Sequence, residues 1–198
     1  MNRIPAVAIA GFRHAGRASV VDALIRQKPK IDRWAVIGAG CNGAQTDIEV
    51  EEIAPGCPCC SAMLPFRVGL TRLLRRTAAA PPALLLIKSG PEGHVATLRA
   101  ILATPAFAAH VALERVLAVL DPRWLEHPGA ATHTALVALA GPADAIIANK
   151  WDQADRPARE RMARFAATFI PPKEWMAAVR GDVPLVFARP GAACADGG

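Results

Sequence analysis

Ala6-Val7-Ala8-Ile9-Ala10-Gly11-Phe12-Arg13-His14-Ala15-Gly16-Arg17-Ala18-Ser19 runs from an apolar stretch through two glycines into a helical pattern. Ala6–Ala10 reads as a buried first strand, and a helix is expected from about Ser19 to Gln27. A loop that cradles phosphates has the form G-x-x-x-x-G-K-[ST] between such elements, with backbone N–H groups and the helix N-terminus facing the anion. Gly11 and Gly16 have the required spacing. Arg17 stands where the lysine belongs, and a planar guanidinium does not match a compact ammonium. Ala18 stands where a hydroxyl would bind Mg²⁺. Ser19 lies one residue on, about 100° further round the helix. Taken alone, the stretch is equally an ordinary glycine-rich turn.

The rest of the chain decides the architecture. Short apolar runs recur at Trp34–Ile37, Leu84–Ile87, Val116–Leu120, Ala145–Ala148 and Val183–Phe187. Helical spacing separates them at Ala62–Arg76, Gly93–Ala103 and Arg156–Ile170. Gly38 to Gly56 reads as irregular, with an acidic stretch at Glu49, Glu51 and Glu52. Strands alternating with helices predict an α/β fold: a doubly wound, mainly parallel sheet flanked by helices. One domain is expected over residues 1–190, with a flexible Gly/Ala-rich tail over 191–198. Of the 198 residues, 53% are hydrophobic but only 5% aromatic, which suits Ala/Val/Leu-rich buried strands. The net charge of +6 is spread over scattered arginines without interleaved aromatics, which argues against a nucleic-acid surface. No apolar stretch approaches the roughly 18 residues of a membrane span. The five cysteines are odd in number and clustered, unlike a disulfide framework, and predict a reducing cytoplasm.

Two further motifs carry chemistry. Asn149-Lys150-Trp151-Asp152 follows an apolar strand, where an Asn-Lys-x-Asp reads guanine through the Asp carboxylate. Gly56-Cys57-Pro58-Cys59-Cys60 sets three thiols within four positions. Thiolates this close suit one soft metal ion such as zinc. The alternative is that Cys59 and Cys60 are small buried residues and Cys57 an idle thiol. His94 is an outer candidate ligand; Cys194 in the tail is not. Arg72, Arg75 and Arg76 read as a solvated helix end, and Trp151 and Trp175 as packing residues.

With these motifs in this order, the chain resembles the G domain of the CobW-type P-loop GTPases, relatives of the nickel chaperone GTPases. Val50 to Cys60 is similar to the family's approach to its Cys-x-Cys-Cys motif. The resemblance covers about residues 4–190. It implies guanine nucleotide (GTP or GDP) held by Gly11, Arg13, Gly16, Arg17, Ala18, Ser19, Asn149, Lys150 and Asp152. It implies zinc or a similar metal at Cys57, Cys59 and Cys60, and a client metalloprotein as partner. Gly40-Cys41-Asn42-Gly43 aligns with the family's Asn-Glu-x-Gly, so Cys41 replaces a glutamate expected near the metal and becomes a fourth thiol ligand. Ile87-Lys88-Ser89-Gly90 aligns with Glu-Thr-Thr/Ser-Gly, so an apolar Ile87 is expected where a carboxylate would face Mg²⁺. The sequence ends where the C-terminal domain of that family would begin. The resulting expectation is a metal-binding chaperone domain with impaired or absent GTP hydrolysis. The alternatives are an active GTPase using Arg17 and Ser19 in shifted geometry, and a pseudo-GTPase interaction module.

Overall fold

The computed structural model describes residues 3–41, 48–54, 63–90, 94–126 and 130–189. Seven strands form one sheet: β1 Ile4–Gly11, β2 Trp34–Gly38, β3 Ile48–Glu52, β4 Leu84–Lys88, β5 Val111–Leu120, β6 Ala145–Ala148 and β7 Glu174–Ala177. Their order is β3-β2-β4-β1-β5-β6-β7, and every pairing is parallel. The helices are α1 Arg17–Arg26, α2 Met63–Arg76, α3 Val95–Leu102, α4 Pro105–Ala108, α5 Ala130–Ala140, α6 Arg156–Ala167 and α7 Leu185–Ala188.

The strand period of two sorts side chains between two helical layers. Ala6, Ala8 and Ala10 of β1 face a core with Phe66, Leu70 and Leu73 of α2, Leu98 of α3 and Phe165 of α6. Val7 and Ile9 face the opposite core, with Val20, Val21 and Leu24 of α1 and Phe187 of α7. Small alanines on one side let several helices approach; branched residues on the other fill the space beneath α1 and α7. Each fully buried leucine or isoleucine stabilises by roughly 1.5–3 kcal/mol. The strand C-termini gather at one edge. There β1 lies between β4 and β5, so the chain leaves in opposite directions, the place where parallel sheets bind ligands.

Two expectations need correction. The acidic stretch predicted to be irregular contains β3, an edge strand paired to β2 from Trp34↔Ile48 to Gly38↔Glu52. Its charges hide it from a hydrophobicity reading, yet they are partnered. Arg76 Nη1 donates to Glu51 at 2.9 Å, and Arg76 Nε also pairs with Glu49. Arg76 is therefore not simply part of a solvated helix end; it pins α2 to the sheet edge. The last strand is β7 rather than Val183–Phe187, which runs into α7. Val183 and Phe187 are buried as expected, but against α1 and not as a strand. The proposed tail, 191–198, lies outside the described residues. No described helix is long and apolar enough to cross a membrane.

A double-mutant cycle on Arg76→Ala and Glu51→Ala, read by urea denaturation, should give a coupling of about 0.5–1 kcal/mol that shrinks with added salt.

Candidate functional site

Between β1 and α1, Gly11–Gly16 forms the expected loop, and α1 begins at Arg17. Gly16 is left-handed (φ 94°), and a Cβ there would lie 2.1 Å from Asn149 Nδ2. Glycine is required on both counts. The clash marks how closely Asn149 packs. Its Nδ2 donates to Ala15 O at 2.8 Å, and its Oδ1 accepts from Gly181 N at 2.8 Å. One buried side chain thus ties the end of β6 to the phosphate-type loop and to the turn before α7.

Lys150 is also left-handed (φ 59°), and its Nζ lies 3.2 Å from Asp121 Oδ2 at the end of β5. Arg123 holds the same carboxylate through Nη2 at 2.7 Å, Nε at 3.0 Å and its backbone N–H at 3.1 Å. Burial pushes the Asp121 carboxyl up, but these hydrogen bonds outweigh it and hold it below the ordinary carboxylate range. Asp152 is exposed in the turn Trp151–Gln153 that follows, at the same sheet edge. Trp151 packs against Trp175 with centroids 5.5 Å apart, as its reading as a packing residue requires.

A cleft of ≈ 510 Å³ opens beside the loop. It brings together Arg13, Gly16, Arg17 and Ala18 from the sequence-derived set. Ser19 is not among its lining residues, and its backbone instead packs against Gly181. Arg17 Nη1 donates to the carbonyl of Ser89 at the end of β4.

Three cleft residues escaped the sequence reading. His14 lies on the loop, Glu52 comes from β3 and Lys88 from β4. The expectation that Ile87 faces the nucleotide-metal position is overturned. Alternation along β4 buries Ile87 in the α2 layer, and Lys88 is the residue that lines the cleft. The signal was present in the sequence as a charged residue ending an apolar strand, but the register needed the sheet.

In standard phosphate loops Mg²⁺ is held by the loop hydroxyl and a strand-borne carboxylate. Here Ala18 has no hydroxyl and the strand end presents a cation. The carboxylate of Glu52 accepts from the backbone N–H groups of Gly40 and, at 3.0 Å, Cys41. This set of described residues does not fit magnesium.

Cys41 lies at the same sheet edge, partly buried, with burial pushing its thiol up to about 11 against the pull of Lys88. Cys57, Cys59 and Cys60, with Asn42 and Gly43, lie outside the described residues. Among the described residues no three His, Cys, Asp or Glu side chains group for a metal. His94 is exposed at the start of α3.

Because the Asp121 carboxyl is lowered in the folded protein, its contribution to stability is complete above the ordinary carboxylate range. That contribution is lost as pH falls through its lowered value. Acid titration of unfolding should show a shallower loss of stability in Asp121→Asn than in the wild type at the lowest pH.

Comparison with known proteins agrees with this geometry. The chain is 30% identical over 165 residues to the zinc chaperone YeiR of Escherichia coli (strain K12), covering 79% of this chain and 49% of that protein. It therefore spans about half the length of that relative. A Zn(II)-bound triple mutant of the YjiA GTPase superposes with a TM-score of 0.62 at 16% identity, over 93% of this chain and 60% of the other. The hydrogenase maturation factor HypB of Archaeoglobus fulgidus superposes with a TM-score of 0.59 at 17% identity, over 89% and 81%. These likenesses show a shared P-loop GTPase fold. The family model for the CobW/HypB/UreG nucleotide-binding domain matches residues 5–176, and the chain belongs to that family.

Proposed function

We propose that this chain is a metal-handling chaperone domain that carries zinc or a similar soft divalent ion as cargo and binds guanine nucleotide, with little or no hydrolysis. The observation that carries the metal half is the tie between Cys41 and β3. The Cys41 N–H donates to Glu52 at 3.0 Å, and Ile53 N donates to Gly38 O at 3.2 Å. Cys41 is thereby held against the strand that leads, within five residues of Glu52, to Cys57. Three thiolates from Cys57, Cys59 and Cys60 would leave an open position for transfer. Cys41 as a fourth would close a tetrahedral site. That the E. coli relative is a zinc chaperone supports this reading.

The nucleotide half is supported by the loop–Asn149 clamp, with Asp152 available at the same edge to accept from guanine. Arg13 and Arg17 would face the phosphates, and Lys150 and Asp121 would fix the base-reading turn. The mismatched Arg17 and Ala18 and the placement of Ser19 away from the cleft argue for lost hydrolysis. Phosphoryl transfer depends on positioned charge and a bound Mg²⁺. A client metalloprotein and a cytoplasmic setting complete the proposal.

Protein purified under reducing conditions should hold near-stoichiometric zinc, and the Cys57/Cys59/Cys60→Ser triple variant should hold none. Equal metal content in both would sink the metal assignment. Cys41→Ser should weaken zinc binding at least as much as loss of an outer-shell partner does, about 10–100-fold, in a competition with a chelating dye.

Calorimetry should show GDP binding that Asp152→Ala abolishes, while phosphate release from GTP stays at background across a range of Mg²⁺. Metal-stimulated release would favour the active-GTPase reading instead. Melting temperatures indifferent to GDP, GTP and zinc would leave only an interaction module.

A further inference from the structure

Lys88 is buried at the floor of the cleft, only 9% exposed. Its neighbour in β2 is Gly38, where a Cβ would lie 2.7 Å from the Cβ of Lys88. The glycine makes room for the lysine stem. Nζ donates to Gly40 O at 2.6 Å, in a turn that Gly40 closes with a left-handed φ of 61°.

An ammonium has three donors, and this bond uses one. No carboxylate among the described residues is ion-paired with Lys88. Glu52, the acidic residue among those lining the cleft, turns its carboxylate to the backbone N–H groups of Gly40 and Cys41. The remaining charged or titratable residues that line the cleft are Arg13, His14 and Arg17, with the Cys41 thiol and Asp22 close by. Even counting Glu52, the cleft lining carries net positive charge, and a mostly buried cation there gains from an anion that joins it.

The positions that normally supply positive charge to the phosphates are altered at the same time. The guanidinium at the loop-lysine position is drawn to the Ser89 carbonyl, and among the described residues Ala18 stands at the position of the magnesium hydroxyl. Lys88 puts a compact point charge, the chemistry of the lost lysine, into the same cleft from the neighbouring strand. We propose that Lys88 is a phosphate-binding cation of this site, acting beside Arg13 and Arg17. Its ammonium serves as the resident counter-charge for the terminal phosphate of a guanine nucleotide, so that binding does not depend on magnesium. The proposal rests on the nucleotide-binding reading above.

The test is calorimetric titration of GDP and GMP into wild-type protein and Lys88→Met, each with Mg²⁺ and with excess EDTA. The expected wild-type GDP affinity is the same within about threefold in both buffers, as no ion bridge is lost. Loss of one charged hydrogen-bond donor should weaken GDP binding about 10–100-fold in Lys88→Met. GMP affinity should change far less, so the ratio of GDP to GMP affinity collapses. A merely structural lysine would lower both affinities together and leave the ratio unchanged, which overturns the proposal. Wild-type GDP binding that vanishes in EDTA also overturns it, and needs no variant to fold. Wild-type protein that binds neither nucleotide defeats the nucleotide reading itself, a result distinguishable from the other two.

Discussion

The carboxamide of Asn149 is the interaction on which the site depends. It sits at the end of β6, almost without exposure, and gives its N–H to Ala15 and its oxygen to Gly181. The loop after β1 and the turn before α7 come from opposite ends of the chain, and neither has a strand to hold it. A buried backbone polar group left unpaired costs about 1–3 kcal/mol, so both segments are driven to this one side chain. Gly16 is the complementary constraint, since any side chain there would occupy the space of the carboxamide. Lys150 adds a second tie through Asp121, which joins the ends of β5 and β6.

Around that clamp the electrostatics of the cleft differ from a magnesium-dependent phosphate site. The change is coordinated in space though scattered in sequence. Arg17 and Ala18 lie on α1, Lys88 on β4 and Glu52 on β3, and parallel strand order brings all of them to one edge. The cation is carried by a strand and anchored to Gly40. The guanidinium at the usual lysine position bonds to the end of β4. A single-residue alternation in β4 is responsible: Ile87 goes to the core and Lys88 to the cleft.

The edge formed by β2 and β3 places Cys41 beside this cleft. Glu52 touches Gly40 and Cys41 through its carboxylate, and Gly40 accepts from Lys88. The Lys88 ammonium is therefore one hydrogen bond away from the peptide group that joins Gly40 to Cys41. This contiguity joins the lysine of the cleft to the backbone of Cys41 through a glycine turn.

Much of the architecture was legible in the chain itself. Apolar runs of strand length at Ala6–Ala10, Trp34–Ile37, Leu84–Ile87 and Ala145–Ala148 announce buried parallel strands, because burial on both faces removes polar alternation. The glycine spacing of the phosphate-type loop and the Asn149–Asp152 motif were equally local. What failed was whatever depended on a partner distant in sequence. β3 is charged and became recognisable only once Arg76 paired with it. β7 is four residues with a glutamate, held by β6. Whether Ile87 or Lys88 enters the cleft turns on the phase of a two-residue period, which an unbroken apolar run cannot reveal. Sequence by itself determined the order of elements and the residue types at the site, since periodicity and motif spacing are local. Only the tertiary structure decided which side chains share the cleft, because that follows from strand register and from hydrogen bonds between segments far apart in the chain.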